Sequence, residues 1–336
     1  MATQTLAVAA NYINNEIIKG VAEDIITVNP IFASLPFSSY TGQAEVVNVE
    51  PSNIDVLIST ASTTTDLSAG AGVTYKAATA APTQRTFSAT KLIGDVEMDK
   101  LVQAQSQSAG VDQLAFEISA KAKSIARNYQ IGMATGSGTA PAMNSFHSQN
   151  DPTQQTAATA DNAGQAISFQ LLDELLDLVL AKDGEVDFIM MAPRTFRSYK
   201  TLLRTLGGTT ADWQVSLPDG RTTIGYENIP IFKNGYLSVD ETQNGGALTG
   251  GGAANTLGGV APAGTGLTSV WAGVFDDGSK KVGISGIYPE GTDVGISVEP
   301  IGAQENRDAE IWRVKQYTNF VSFNAKGLAR LTSIGN

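Results

Sequence analysis

Three carboxylates, Asp173, Glu174 and Asp177, lie close together in the chain, and paired carboxylates are the minimal equipment for general acid–base chemistry. Their setting argues for a plainer role. Asp173 and Asp177 are spaced i, i+4 opposite the apolar face made by Leu171, Leu172, Leu175, Leu176, Val179 and Leu180, so they belong to the solvated side of an amphipathic helix. Asp240, Thr242, Asn244 and Gly245 imitate the opening of a calcium loop, but its twelfth position is Gly251, where a bidentate Glu is required. The glycine clusters at 250–252 and 264–266 are followed by neither a Lys-Ser/Thr pair nor a strong helical pattern, which argues against a phosphate-cradling loop. Arg194, Arg197, Lys200 and Arg204 make a basic stripe that could meet phosphate or a neighbour's carboxylates. A solvated helix face explains the stripe equally well, and an acidic partner subunit suits it better than DNA does. His147, in NSFHSQND, reads as an exposed loop residue. It is the only histidine and there is no cysteine. Disulfides, thiolate zinc sites and cysteine nucleophiles are therefore excluded, and a Ser-His-Asp triad or a facial iron triad would have to rest on His147 alone. The sequence nominates no catalytic, cofactor-binding or metal-binding residue.

The chain has 336 residues, 33 acidic and 22 basic, for a formal net charge of −11, and only 16% of its residues are charged. That length suits two domains or one composite domain with a sizeable core. The acidic balance opposes a nucleic-acid binder held by phosphate neutralisation, because the field of the whole molecule repels a polyanion. The start, MATQTLAVAANYINNE, has no basic segment leading into an apolar run, and no window approaches a membrane span, so the reading is a soluble protein made and used inside a cell.

Residues 5–28 place Leu6, Ile13, Ile17, Val21 and Ile25 on one helical face. NPIFASLPF then breaks the helix and offers Ile31, Phe32, Leu35 and Phe37 as an extended apolar tether. From 41 to 92 short alternating runs (EVVNVE, NIDVLIS, RTFSATKL) predict a long β-hairpin too poor in apolar residues to be ordered without a neighbouring surface. A long helix follows, with Val111, Leu114, Ile118, Ala122, Ile125 and Tyr129 on one face. Asp95, Glu97 and Asp99 precede it and Lys121, Lys123 and Arg127 lie toward its end, the order a helix dipole prefers. After a polar loop at about 134–166, Ser168 is placed to cap a leucine-rich helix that Asp183-Gly184 ends. VDFIMMA reads as a buried strand, and Thr195 as the cap of a second helix after Pro193. Helix, buried strand, helix is an α/β layer. Residues 241–268 read as a flexible glycine-rich loop, and four strand-like runs close the chain, with EIWRVKQYTNFVSF as the spine of a second sheet.

This order of elements resembles the major capsid proteins of tailed phages, the Hong Kong 97 fold, along nearly the whole chain. The segment ending in NPIFASLPF resembles the family's N-terminal arm (1–40), and 41–92 its extended loop. LIGDVEMDKLVQAQ with VDQLAFEISAKAKSIARNYQIGMATGSGT resembles the spine helix and following loop of the peripheral domain (93–150). SFQLLDELLDLVLAKDGEVDFIMMAPRTFRSYKTLLRTLGG is similar to the opening of the axial domain (151–300), and EIWRVKQYTNFVSFNAKGLARLTSI to the strand returning to the peripheral sheet (301–336). The resemblance implies an α+β, non-enzymatic, cofactor-free virion shell protein, assembled in the host cytoplasm into hexamers and pentamers of an icosahedral head. It implies enclosed DNA that is not bound sequence-specifically, a portal, no membrane, and a lumen facing much of the negative charge. Because the arm pattern starts within the first ten residues, a separate scaffolding protein is expected. A decoration protein is left open. Some members cross-link a loop lysine to an asparagine; Lys76 with Asn306 or Asn319 are the residues to examine, and cross-linking is not expected. The nearest alternative is an encapsulin-like nanocompartment shell, whose members tend to be shorter with a reduced hairpin. A carbohydrate-active enzyme using carboxylates and tyrosine is the remote one.

Overall fold

The computed structural model describes residues 34–49, 83–108, 113–139, 141–158, 164–182, 184–205, 214–216, 222–237, 266–292 and 295–335. In chain order these form β1 (Phe37–Tyr40), β2 (Glu45–Val49), β3 (Thr83–Phe87), β4 (Thr90–Asp99), α1 (Lys100–Ser108), α2 (Gln113–Thr135), α3 (Phe146–Gln149) and β5 (Gln155–Ala157). There follow α4 (Phe169–Leu180), β6 (Phe188–Met191), α5 (Pro193–Thr205), β7 (Gln214–Ser216), β8 (Thr222–Tyr226), β9 (Ile229–Lys233) and β10 (Leu267–Gly273). The last strands are β11 (Ile284–Pro289), β12 (Ser297–Ala303), β13 (Ala309–Ser322) and β14 (Leu328–Gly335). Most of the expected arm, the middle of the expected hairpin with Lys76, the calcium-like Asp240–Gly251 stretch and most of the glycine-rich loop lie outside the described residues.

VDFIMMA is the most informative short run. Its strand, β6, is buried at all four positions, and successive side chains enter different cores. Phe188 and Met190 join Tyr129, Met133, Phe146, Trp271 and Phe320 on one face of the sheet. Ile189 and Met191 join Leu171, Leu172, Leu175, Val179, Phe196 and Tyr199 on the other. A strand covered on both faces needs apolar residues at every position, which is why the run does not alternate. The sheet around it has seven strands in the order β5-β14-β10-β6-β9-β8-β7, with α4 and α5 on one face. Ser168 caps α4 as expected, its Oγ accepting from the Leu171 N–H at 3.3 Å. Thr195 does not cap α5. That helix begins at Pro193, whose fixed φ and missing N–H suit the first helical position, and Thr195 is buried inside it.

The second sheet is built on β13. This 14-residue strand pairs with β4 from Ala309↔Asp99 to Thr318↔Thr90, and with β12 and β11; β1 extends the sheet by lying parallel to β11. Three expectations change here. LIGDVEMD is strand, not a lead into the spine helix: Val96 and Met98 point into the core, while Asp95 faces Arg313 at 2.8 Å instead of a helix terminus. Of the three acids only Asp99 serves the helix, accepting from the Leu101 N–H at 2.8 Å. The single closing strand is two strands in different sheets, separated by the Asn324 turn, in which Oδ1 accepts from the Lys326 N–H at 3.0 Å. β11 and β12 belong with β13, and β14 belongs with the α/β sheet, so the 151–300 and 301–336 divisions do not follow the sheets.

The end of the expected tether docks on its own chain. Leu35 is buried, Phe37 lies 6.2 Å from the Tyr129 ring, and the Gly286 N–H donates to Pro36 O at 2.8 Å. Gly286 is needed for this approach, because a Cβ there would stand 2.3 Å from Phe37 Cε1. Gly286→Val is expected to cost about 2 kcal/mol and to release β1. In hydrogen-exchange mass spectrometry β1 should lose protection while β6 keeps it; equal protection of β1 in both proteins would contradict this docking.

Candidate functional site

The carboxylates of α4 do not converge on a pocket. Asp173 and Asp177 are exposed on the side away from the buried Leu171, Leu172 and Leu175, and Leu180, expected on the apolar face, is exposed with them; Asp173 accepts from the Tyr226 hydroxyl, and Glu174 Oε1 accepts from Gln170 Nε2 at 3.1 Å. Burial and the adjacent Asp173 carboxylate push the Tyr226 hydroxyl pKa up, so it stays a donor. On α5, Arg194 donates to Gly266 O, Lys200 and Lys233 lie 5.8 and 5.1 Å from the Phe196 ring, and Arg197 and Arg204 are exposed. Among the described residues no group of three His, Asp or Glu side chains could hold a metal ion, and no helix is long and apolar enough to cross a membrane. A concavity of about 200 Å³ beside Lys315 and Tyr317 is smaller than the clefts that enclose organic ligands.

His147 is not an exposed loop residue. It sits on the one-turn helix α3, held by a reciprocal capping box between Ser145 and Ser148, and its ring meets Trp271 edge-on at 4.9 Å. The Arg330 guanidinium stands 5.3 Å from the same indole. Burial, then the charge of Arg330, push the imidazole pKa down to about 3, so the ring is neutral near pH 7 and cannot shuttle protons there. The local sequence gave no sign of this, since both partners lie far along the chain.

What the fold does present is a two-stranded ribbon and an exposed apolar strand at a sheet edge. Among the described residues β2 and β3 pair only with each other, from Glu45↔Phe87 to Val49↔Thr83, forming the base of the expected hairpin. The ribbon is fastened to the body at its root. Arg85 donates to Ser322 O and to Gln149 Oε1, both at 2.9 Å, Phe87 packs edge-on against Phe323, and Lys280 meets Glu45 at 3.2 Å. Val46 on the ribbon is 48% exposed, and Val298 and Ile301 on β12, at the end of the β13 sheet, are 42% and 48% exposed. The apolar edge of β12 was written in VGISVEPI; the ribbon's anchors, Arg85 and Lys280, carried no recognisable signal.

No family model and no curated protein matches the sequence. Solved structures do match. The SrpI encapsulin of Synechococcus elongatus PCC 7942 superposes with a TM-score of 0.65 at 15% identity, over 100% of this chain and 97% of that one. A chain from the phage G structure of gp27 major capsid proteins and gp26 decoration proteins gives 0.54 at 10% identity, over 94% and 92%. The capsid of a native GTA particle gives 0.54 at 12% identity, over 98% and 98%. The chain has the Hong Kong 97-type fold.

Within this Hong Kong 97-type fold, Asn319 is a structural clamp. It is buried; Oδ1 accepts from the backbone N–H groups of Asn144 and Phe320, both at 2.9 Å, and Nδ2 donates to Ser88 O at 2.7 Å. Expelling the Asn319 amide nitrogen would give up its bond to Ser88 O, whereas the two N–H groups on Oδ1 are placed as donors to an oxyanion would be. Asn306 is exposed in the turn between β12 and β13.

Proposed function

We propose that the chain is the subunit of a self-assembling icosahedral shell and, more finely, the head protein of a tailed phage, forming hexamers and pentamers around double-stranded DNA. The observation that carries this reading is the end-to-end correspondence with shell-forming chains of the Hong Kong 97-type fold. The ribbon and the apolar β12 edge support it, since a lattice neighbour supplies the burial they lack. With a net charge of −11, DNA would be confined rather than tightly bound. A separate scaffolding protein, a portal and assembly in the host cytoplasm belong to this reading, which requires neither a membrane nor a cofactor.

A second reading, a nanocompartment shell with protein cargo, is favoured by the TM-score of 0.65 against SrpI. Coverage of 100% and 97% means that this encapsulin is comparably long, so the length of the 41–92 region does not separate the two readings.

The chain expressed alone and with its neighbouring genes should give capsomers, tubes or closed shells by electron microscopy. Nuclease-protected DNA inside would mark the phage reading, and a co-purifying protein cargo the second. Monomers at every concentration and in both expressions would overturn both. Denaturing electrophoresis of the shells should show one band at monomer mass; a ladder would reveal the cross-linking that is not expected.

A further inference from the structure

The outer layer of the α/β sheet is electrically polarised. Between its ends α4 carries Asp173, Glu174 and Asp177 and no cation; α5 carries Arg194, Arg197, Lys200 and Arg204 and no anion. Both helices cover the same face, α4 on β14, β10 and β5, α5 toward β8, where the Tyr199 hydroxyl donates to Gly225 O at 2.9 Å. Among the described residues no ion pair joins the two helices. Lys182 follows α4 in sequence, and Glu227 lies in the β8–β9 turn.

The exposed stripes also match in spacing. Asp173, Asp177 and Leu180 recur at i, i+4 and i+7, as do Arg197, Thr201 and Arg204. Leu180 is 63% exposed, the most open of the large apolar side chains described, and arginine stems can cover such a residue while their heads reach carboxylates. Four cations within three turns of α5 repel one another in the isolated chain, a strain that an opposing acidic helix relieves.

We propose that the basic face of α5 docks against the acidic face of α4 in a second copy of this chain. The contact is heterologous, donor face to acceptor face, and a repeated heterologous contact closes into a ring when its rotation permits. This rests on the shell reading above, and names one of the contacts that would join subunits within a capsomer.

The test compares full-length wild type, Arg197→Glu/Arg204→Glu, Glu174→Lys/Asp177→Lys, and the chain carrying all four reversals, by sedimentation and electron microscopy. Each double reversal is expected to lower the assembled fraction at least tenfold, on the order expected for like charges brought together across an interface. The fourfold chain should recover assembly, because opposite charges meet again. Arg197→Lys/Arg204→Lys should assemble like wild type, and circular dichroism of unassembled subunits should show each variant folded. Raising ionic strength from about 0.1 M to about 1 M shortens the Debye length from about 10 Å to about 3 Å and should slow assembly of wild type. Normal assembly of either double reversal overturns the inference and leaves the shell reading standing. Folded double reversals that stay unassembled without rescue in the fourfold chain also overturn it, since the partner of α5 would then not be α4. Wild type that never assembles removes the shell reading itself.

Discussion

Trp271→Ala should lower the unfolding free energy of the unassembled subunit by about 4 kcal/mol, in the middle of the range for a buried aromatic. Trp271 is fully buried on β10, and its indole touches the Phe146 ring at 5.6 Å; Phe146 in turn reaches Phe320 of β13 at 4.8 Å. The two sheets share this cluster, which also takes in Tyr129 and Met133 of α2 and Leu328 of β14. Truncation therefore opens a cavity at the junction, where neither sheet can collapse without moving the other. It also strips the aromatic face from Arg330, whose buried guanidinium keeps hydrogen bonds to Ser269 Oγ at 2.9 Å and Gln155 Oε1 at 3.3 Å. Urea unfolding followed by circular dichroism measures the loss, and Trp271→Phe should recover much of it. A loss below about 1 kcal/mol would mean that the junction relaxes freely.

Stability should also fall as pH drops below about 6.5, by about 1.4 kcal/mol per pH unit, so that about 2 kcal/mol is lost by pH 5. The group responsible is His147. Its folded pKa is about 3, because burial and then Arg330 disfavour the imidazolium, while in the unfolded chain it titrates near 6.5. Between those values the unfolded state binds the proton and the folded state does not. The stability is complete above the unfolded pKa and is lost as pH falls toward the folded one.

Asp151 acts in the same direction at lower pH. Burial raises its carboxyl, but hydrogen bonds from Lys326 and Thr153 outweigh that and hold it at about 2, so its contribution is lost only between about 4 and 2. Asp187 and Asp276, raised chiefly by burial, oppose the trend. The measurement is thus the difference between wild type and His147→Gln in unfolding free energy from pH 7 to 5. Parallel slopes in the two proteins would contradict a half-buried histidine held neutral.

The elements legible in the sequence are those whose signal is local. The leucines of α4 repeat with the helical period, Ser168 stands where an N-cap must stand, and the unbroken FIMM run could be satisfied by a strand buried on both faces. β4 was equally local, since its alternation is visible in LIGDVEMD, but charges ahead of a helix fit a dipole pattern as well as a strand face. Pairing with β13 over ten positions is what decides between them. Thr195 was misplaced for a similar reason: Thr and Pro can both open a helix, and only the backbone shows which one does.

By itself the sequence determined the inventory of chemistry, with no cysteine and one histidine, together with the α4–β6–α5 layer and the order of elements that carries the resemblance. Tertiary structure alone decided that the closing segment divides between two sheets, that Asn319 is clamped and that His147 is half-buried against Trp271 within the field of Arg330. Periodicity and capping follow from sterics and hydrogen bonding within a few residues. Burial, strand partners and shifted protonation depend on groups brought together from distant parts of the chain, and no short window contains them.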